Sequence, residues 1–296
     1  MSNAFDEVVI IYNPNSTGSS KNNALSLKDD LEKAEFQAPI KMYATTHAGH
    51  AEEIAQEYAA STKKILLISS SGDGGYHEMI NGIIASSAVN ITAGLIPSGN
   101  ANDHYHALFG DKHNLVTSIV AGKVRTVDVI KVSSTIRNKP WSRYAHSYAG
   151  IGLTSAVGKK LTETNLNLLN EKWLVIKYLF TYTHATIKID GRKRRYSSLV
   201  FSNIDRMSKV LKLSQSSSIN DGKFEISSIK YRSKLYTMLL LIKSATFGVE
   251  ELGSYDRYNF ETTKRLLIQL DGEVYRLDRR SEVKVESVSG QLKTLL

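Results

Sequence analysis

The stretch SSSGDGGYHEMINGII (Ser69–Ile84) sets an aspartate inside a run of glycines, between the apolar run KILLIS and a segment of helical spacing. Gly72, Asp73, Gly74 and Gly75 therefore form a strand-to-helix turn. Its own residues leave two readings open. In one, the glycines supply positive φ and Asp73 caps the helix. In the other, bare backbone amides meet phosphate oxygens at a helix N-terminus, and the carboxylate serves a metal ion or a proton.

Working outward, the first 130 or so residues alternate apolar strands with amphipathic helices. VVIIYN (Val8–Asn13), IKMYAT, KILLIS and ITAGLIP are strand-like, while Ala24–Glu35, His50–Ala60 and HEMINGIIASS have helical spacing. This order argues for a parallel sheet with helices on both faces. Ligands of such sheets bind at the carboxyl ends of strands, where the loops after Asn13, Ser69 and Pro97 all lie. After Arg125–Val132 the pattern changes to strand-like segments, with turn dipeptides at Asp190-Gly191, Asp221-Gly222 and Asp271-Gly272. The expected architecture is an N-terminal three-layer α/β nucleotide-binding domain (1–128) followed by a C-terminal antiparallel β-sandwich domain (129–296). The last ten or so residues are expected to return to the first domain.

The 296 residues include no cysteine, which excludes a disulfide framework, a thiolate metal site and a cysteine nucleophile. There is no signal-peptide pattern, and no apolar run approaches the roughly 18 residues of a membrane span. A net charge of +9, from 38 Lys+Arg against 29 Asp+Glu, calls for an anionic partner such as a nucleotide, a nucleic acid or an acidic lipid surface.

Three loops discriminate when taken together: Asn13-Pro14-Asn15-Ser16-Thr17-Gly18, the Ser71–Gly75 turn followed by Glu78 and Asn81-Gly82, and Pro97-Ser98-Gly99-Asn100-Ala101-Asn102-Asp103. In this order and spacing the set resembles the diacylglycerol kinase catalytic-domain family, which includes sphingosine kinases and bacterial lipid kinases. The resemblance extends to SINDGKF (Ser218–Phe224), similar to the family's metal-binding turn, and to LDGE (Leu270–Glu273), similar to its catalytic D-G-E.

The resemblance implies transfer of the γ-phosphoryl group of ATP, with Mg²⁺, to a lipid hydroxyl, most directly that of diacylglycerol. Glu273 is then the general base, and Asp73 holds the catalytic Mg²⁺ or shares the proton work. Gly72, Gly74 and Gly75 offer amides to phosphates. Asn13, Pro14, Ser16, Thr45, Glu78, Ser98, Gly99, Asn100 and Asn102 surround the nucleotide, with Thr45 in a T-x4-[DH]-A pattern through His50 and Ala51. Glu78 is equally a first-turn acid favoured by the helix dipole. Asp221, with the carbonyls of Ser218 and Lys223, is the candidate structural Mg²⁺ site, and otherwise a simple turn. Two departures from the family pattern stand out: Gly75 and Asn100 replace threonines, removing two hydroxyls from the phosphate region. The first loop is also one residue longer.

The implied partners are ATP, a lipid and, transiently, an anionic membrane surface, without nucleic acid; an exposed sheet edge offers a route to a homodimer. The expected location is cytoplasmic, peripheral at the inner face of the membrane. Asn167–Thr183, Tyr236–Ile242 and the basic run Gly191–Arg195 each read either as part of the fold or as membrane-facing. His104 and His106 read as pocket-edge or surface residues. Other acceptors remain open: another lipid or sphingoid base, or a nicotinamide dinucleotide. So does a non-catalytic nucleotide- or lipid-binding regulator, suggested by Gly75 and Asn100.

Overall fold

The computed structural model describes residues 4–16, 18–99, 102–110, 113–155, 182–207, 211–212, 218–247 and 250–296. The chain forms two units, Met1–Val127 with Gly290–Leu296, and Asp128–Ser289.

Unit 1 runs β1 (Glu7–Tyr12), α1 (Ser20–Lys33), β2 (Ile40–Ala44), α2 (His50–Ala59), β3 (Ile65–Ser71), α3 (Asp73–Ala85), β4 (Ile91–Pro97), α4 (Asp103–Phe109) and α5 (Leu115–Ala121). β1 pairs in parallel with β2 and β3, and β3 with β4. Strand alternation divides the apolar residues between two faces. Val8, Ile10, Leu66 and Ile68 pack against Ala24, Leu27 and Leu31 of α1 and Ile119 of α5. Val9, Ile11, Ile65 and Leu67, equally buried, point the other way. α2 and α3 approach closely because position 82 is glycine: a Cβ there would lie 2.5 Å from the Glu52 carbonyl oxygen.

Glu7 opens β1 with a buried carboxylate, reached by Lys41 Nζ at 2.6 Å and Lys63 Nζ at 3.0 Å. Burial alone would raise its pKa, but the hydrogen bonds from the two lysines prevail and hold it below the usual value. The C-terminal residues complete this unit. Thr294 pairs in parallel with Ala93, and the Leu296 N–H donates to the Lys123 carbonyl at 3.0 Å.

Unit 2 holds β6 (Lys139–Ala145), β7 (Tyr148–Gly152), β8 (Ala185–Ile189), β9 (Arg192–Ser202), β10 (Arg206–Met207), β11 (Leu211–Lys212), β12 (Phe224–Lys230), α6 (Lys234–Phe247), β13 (Glu250–Tyr255), β14 (Arg257–Thr262), β15 (Leu266–Leu270) and β16 (Glu273–Leu277). β5 (Val124–Ile136) and β17 (Glu282–Leu295) also contribute most of their length to it. Its ladders are antiparallel: β16–β15–β7–β9–β8–β14–β17, with β12 and β13 branching from β9, and β5 on β6. One apolar core serves these strands, including Ile151, Leu199, Phe201, Phe224, Ile268 and Val283. The α/β-then-β architecture read from the sequence is thus the observed one. Among the described residues no helix is long and apolar enough to cross a membrane. The Asn167–Thr183 segment lies almost wholly outside the described residues.

Candidate active site

In unit 1 the strand order is β4–β3–β1–β2: from β1 the chain turns one way to β2, and from β3 it turns the other way to β4, which makes the carboxyl ends of β1 and β3 the switch point of the sheet. The loops after β1, β3 and β4 meet there through backbone and hydroxyl groups. Ser98 N–H donates to the Ser71 carbonyl at 3.0 Å, and Asn23 Nδ2 reaches both the Gly18 carbonyl (3.0 Å) and Ser98 Oγ (2.9 Å). Ser16 Oγ donates to the Ser98 carbonyl, and Ser20 Oγ to that of Ser70. The Asn13 N–H donates to Ser20 Oγ at 3.0 Å, and its Oδ1 accepts from Asn15 N–H at 2.9 Å. Asn13 and Pro14 themselves are exposed at the rim.

Asp73 is the first residue of α3, half-buried, with Gly72 as N-cap. Its carboxylate therefore sits where the helix dipole favours negative charge. The glycines of this turn are not explained by left-handed backbone. Gly72 has φ −81°, and neither Gly74 nor Gly75 has positive φ. Crowding explains two of them. A Cβ on Gly72 would come within 3.2 Å of Gly99 Cα, and one on Gly99 would overlap Gly72 Cα. Asn102 closes the third loop in both directions, accepting from Gly99 N–H (2.9 Å) and donating from Nδ2 to the Gly99 carbonyl (2.8 Å).

Gly75 has a different neighbour. A Cβ there would fall 2.5 Å from Ser71 Oγ and 2.7 Å from Ser71 Cβ. The Ser71 hydroxyl thus occupies the place where a side chain at position 75 would begin. It bonds Ser69 Oγ at 2.6 Å and the Gly72 carbonyl at 2.9 Å. The Ser71 hydroxyl, at the end of β3, stands beside the position where Gly75 lacks one. Asn100 lies outside the described residues.

Thr45 follows β2, its N–H donating to the Tyr12 carbonyl at 2.9 Å. Glu78 accepts from Gly49 N–H at 2.8 Å and so pins the Thr45–Gly49 loop to α3. His104 corrects its expectation: it is buried, its ring 5.2 Å from that of Tyr76, whereas His106 is exposed.

In unit 2, Glu273 begins β16, half-buried, directly after the turn Asp271-Gly272. That turn is held by a group the sequence reading passed over. Asp271 is buried at φ 48°, and its carboxylate accepts from the N–H groups of His146 (2.8 Å), Ser147 (2.9 Å) and Tyr148 (3.0 Å). His146 Nε2 lies 3.5 Å from the same carboxylate, both side chains fully buried. With its amide oriented to satisfy both neighbours, Gln269 accepts from Gly272 N–H at 3.2 Å and donates to the Thr154 carbonyl at 2.8 Å. Glu273 therefore stands on a rigid support.

Asp221 is exposed, with one carboxylate oxygen accepting from Lys223 N–H at 3.0 Å, and Ser218 Oγ bonds Asn220 Oδ1. A second acid, Asp128, holds this turn from inside: buried, it accepts from Gly222 N–H at 2.6 Å, while Asn203 Nδ2 donates to its carbonyl. The Asp221 carboxylate, the Ser218 hydroxyl and the backbone carbonyls of the turn are oxygen donors, the kind Mg²⁺ takes.

Residues 7–132 match the family model of the diacylglycerol kinase catalytic domain. A diacylglycerol kinase of Bacillus subtilis (strain 168) is 25% identical over 288 residues, covering 89% of this chain and 88% of that one. Residues 7–132 are a diacylglycerol kinase catalytic domain, and the chain is a lipid kinase. The sphingoid long-chain bases kinase 1 of Arabidopsis thaliana is 30% identical over 135 residues, 43% of this kinase and 17% of the plant protein. A diacylglycerol kinase structure from Bacillus anthracis str. Sterne shares the fold, with a TM-score of 0.68 at 20% identity over 98% of this chain and 97% of that one. The kinase thus matches relatives across both of its units.

Proposed function

We propose that the protein transfers the γ-phosphoryl group of ATP to the free hydroxyl of diacylglycerol, giving phosphatidic acid. The observation that carries the reading is the meeting of three glycine-bearing loops at the carboxyl ends of β1, β3 and β4, with Asp73 at the first position of the helix behind them. Phosphoryl transfer asks chiefly for positioning and charge neutralisation, which such a backbone cradle supplies. The amides of the Gly72–Gly75 turn and the α3 N-terminus receive phosphate oxygens. Asn13, Ser16, Thr45, Ser98, Gly99 and Asn102 shape the nucleotide side, and Glu78 keeps the Thr45 loop in place.

When bound, Mg²⁺ would supply charge neutralisation to the phosphates during transfer. The Asp73 carboxylate would hold it, and the oxygen donors of Asp221, Ser218 and Lys223 would fit a second, structural ion. Glu273 takes the proton of the lipid hydroxyl as the oxygen attacks. The Asp271 clamp spares Glu273 from having to order its own turn. Because the Ser71 hydroxyl fills the space beside Gly75, that glycine loses its force as a sign of a non-catalytic regulator. A sphingoid base is the second acceptor to test, given the plant relative.

The test is transfer of labelled γ-phosphate from ATP to diacylglycerol, monoacylglycerol, ceramide, sphingosine and undecaprenol in mixed micelles. Labelled phosphatidic acid that disappears in Asp73→Asn and Glu273→Gln is the expected result. ATP binding without any labelled lipid would refute the assignment.

A further inference from the structure

We propose that α6 and the basic end of the β8–β9 hairpin form the face by which this chain docks on an anionic lipid bilayer. The proposal takes its purpose from the lipid-acceptor reading above, but its geometry is independent of it. Thr237 is the inward residue of α6: it is buried, and its hydroxyl bonds Ser197 Oγ at 2.6 Å and Tyr182 Oη at 3.3 Å. Residues two positions away on a helix are turned about 200° from it. Leu235 and Leu239 accordingly face outward, 63% and 56% exposed, and are among the most exposed large apolar side chains described. A helix that buries a threonine and presents leucines to the outside is inverted for a surface facing water alone.

The charge beside this helix supplies the second observation. Arg192–Arg195 are exposed along β9, and the Arg195 carbonyl accepts from Tyr231 N–H at 3.0 Å, directly before Arg232 and Lys234. Arg232 lies over the Tyr236 ring at 4.9 Å, and His184 stacks on Tyr231 at 4.1 Å. Burial first, and then the charges of Lys264 and Arg195, keep the His184 pKa below its usual value. Of the acids described here, Asp190 stands at the hairpin tip, Glu261 is paired with Lys188 at 3.1 Å, and Glu250 and Glu251 open β13 just beyond α6. Exposed leucines on a helix that begins beside Arg232 and Lys234 match the acyl boundary and phosphate layer of an anionic bilayer. A protein partner of this face would need a matching acidic groove, and a second copy would bring the same positive charge against itself.

The experiment is flotation of the full chain with vesicles of phosphatidylcholine, with and without phosphatidylglycerol. Leu235→Ser/Leu239→Ser and Lys193→Glu/Arg195→Glu, the latter two on one face of β9, are compared with the native chain. We expect binding that needs the anionic lipid, and a loss of about tenfold or more in vesicle affinity for each double variant. Only the native chain and the leucine variant should retain a steep salt dependence. Melting temperature and labelling of detergent-dispersed diacylglycerol should stay unchanged, separating docking from folding and catalysis. Vesicle binding without lipid phosphorylation would leave the docking face standing and remove the acceptor assignment. Equal vesicle affinity of native and variant chains would overturn the proposal. So would a leucine variant that converts a dimer to a monomer, since the face would then join two copies.

Discussion

Gly72 and Gly99 of unit 1 have backbone angles outside the left-handed region, yet a Cβ on either would press on the other's Cα. Gly191 and Gly272 of unit 2 sit at φ +74° and +103°, with open space where a Cβ would go. In unit 1 glycine is required because two backbones meet; in unit 2 it is required because the chain turns. The first kind shapes a surface of bare amides for a ligand, whereas the second only completes hairpins. The sharpest way to break this distinction is to add one methyl group to each. Gly99→Ala should push the β3 and β4 loops apart and lower kcat/KM for ATP by about 100-fold or more, because displacement near 1 Å at a reacting centre has that effect. Gly191→Ala should cost about 1 kcal/mol of stability and leave turnover alone. Kinetics and denaturant unfolding of both variants decide it, and a fully active Gly99→Ala would end the crowding argument.

The Asp-Gly turns sharpen the comparison, because the same dipeptide has two environments within unit 2. Asp190 is exposed at its hairpin tip; Asp271 is buried and accepts three backbone N–H groups. Asp271→Asn removes the charge from those bonds and leaves buried donors poorly matched, for a loss of about 3 kcal/mol. Asp190→Asn should stay within about 0.5 kcal/mol. In the transfer assay Asp271→Asn should lower kcat far more than KM for ATP, since it loosens the turn that carries Glu273. Urea unfolding that finds the two substitutions equivalent would remove Asp271 from its positioning role.

A third contrast lies within the glycine turn itself. Position 75 is crowded by a side chain, whereas positions 72 and 99 are crowded by backbone. Backbone cannot be trimmed, but Ser71 can. Gly75→Thr alone should be destabilising and slow. Ser71→Gly alone should lose the hydroxyl that bonds Ser69 and the Gly72 carbonyl. The double variant should recover, with a coupling of about 2 kcal/mol in a double-mutant cycle. Additive effects would mean that the two positions do not exchange one side chain between them.

These contrasts also mark what was legible in the sequence. The strand–helix alternation, the shift to antiparallel β and the three loops were readable because apolar periodicity and glycine placement are local signals. The reason for each glycine was not, since crowding at Gly72 and Gly99 depends on loops that are distant in sequence but close in space. His146 and Asp128 escaped for the same reason: burial and long-range N–H partners leave no local pattern. Position 75 reads as a lost hydroxyl because the sequence places Ser71 in the turn; only the structure, with Ser71 ending β3 and Gly75 in the first turn of α3, brings its hydroxyl beside that position. The burial of His104, read as a pocket-edge or surface residue, leaves no local pattern because a seven-residue helix is too short to reveal a buried face.

Charge gives the smallest contrast between the units. Glu7 in unit 1 is buried between Lys41 and Lys63, whereas Asp278 in unit 2 is held by the N–H of Asn138 (2.7 Å) and then by that of Arg137 (3.2 Å). Both carboxyls titrate below their usual values in the folded chain. Each therefore adds stability that is present above the ordinary carboxylate range, near pH 4, and is lost as pH falls through the lower folded value. Glu7→Gln should remove about 1 kcal/mol at neutral pH and flatten the acid limb of the stability curve. Asp278→Asn should change that limb less, because solvent screens an acid that is only half-buried. Melting temperatures across pH 2–7 separate the two. An unchanged acid limb in Glu7→Gln would show that the lysines follow the carboxylate through the same equilibrium in the unfolded chain, and that β1 is held by packing alone.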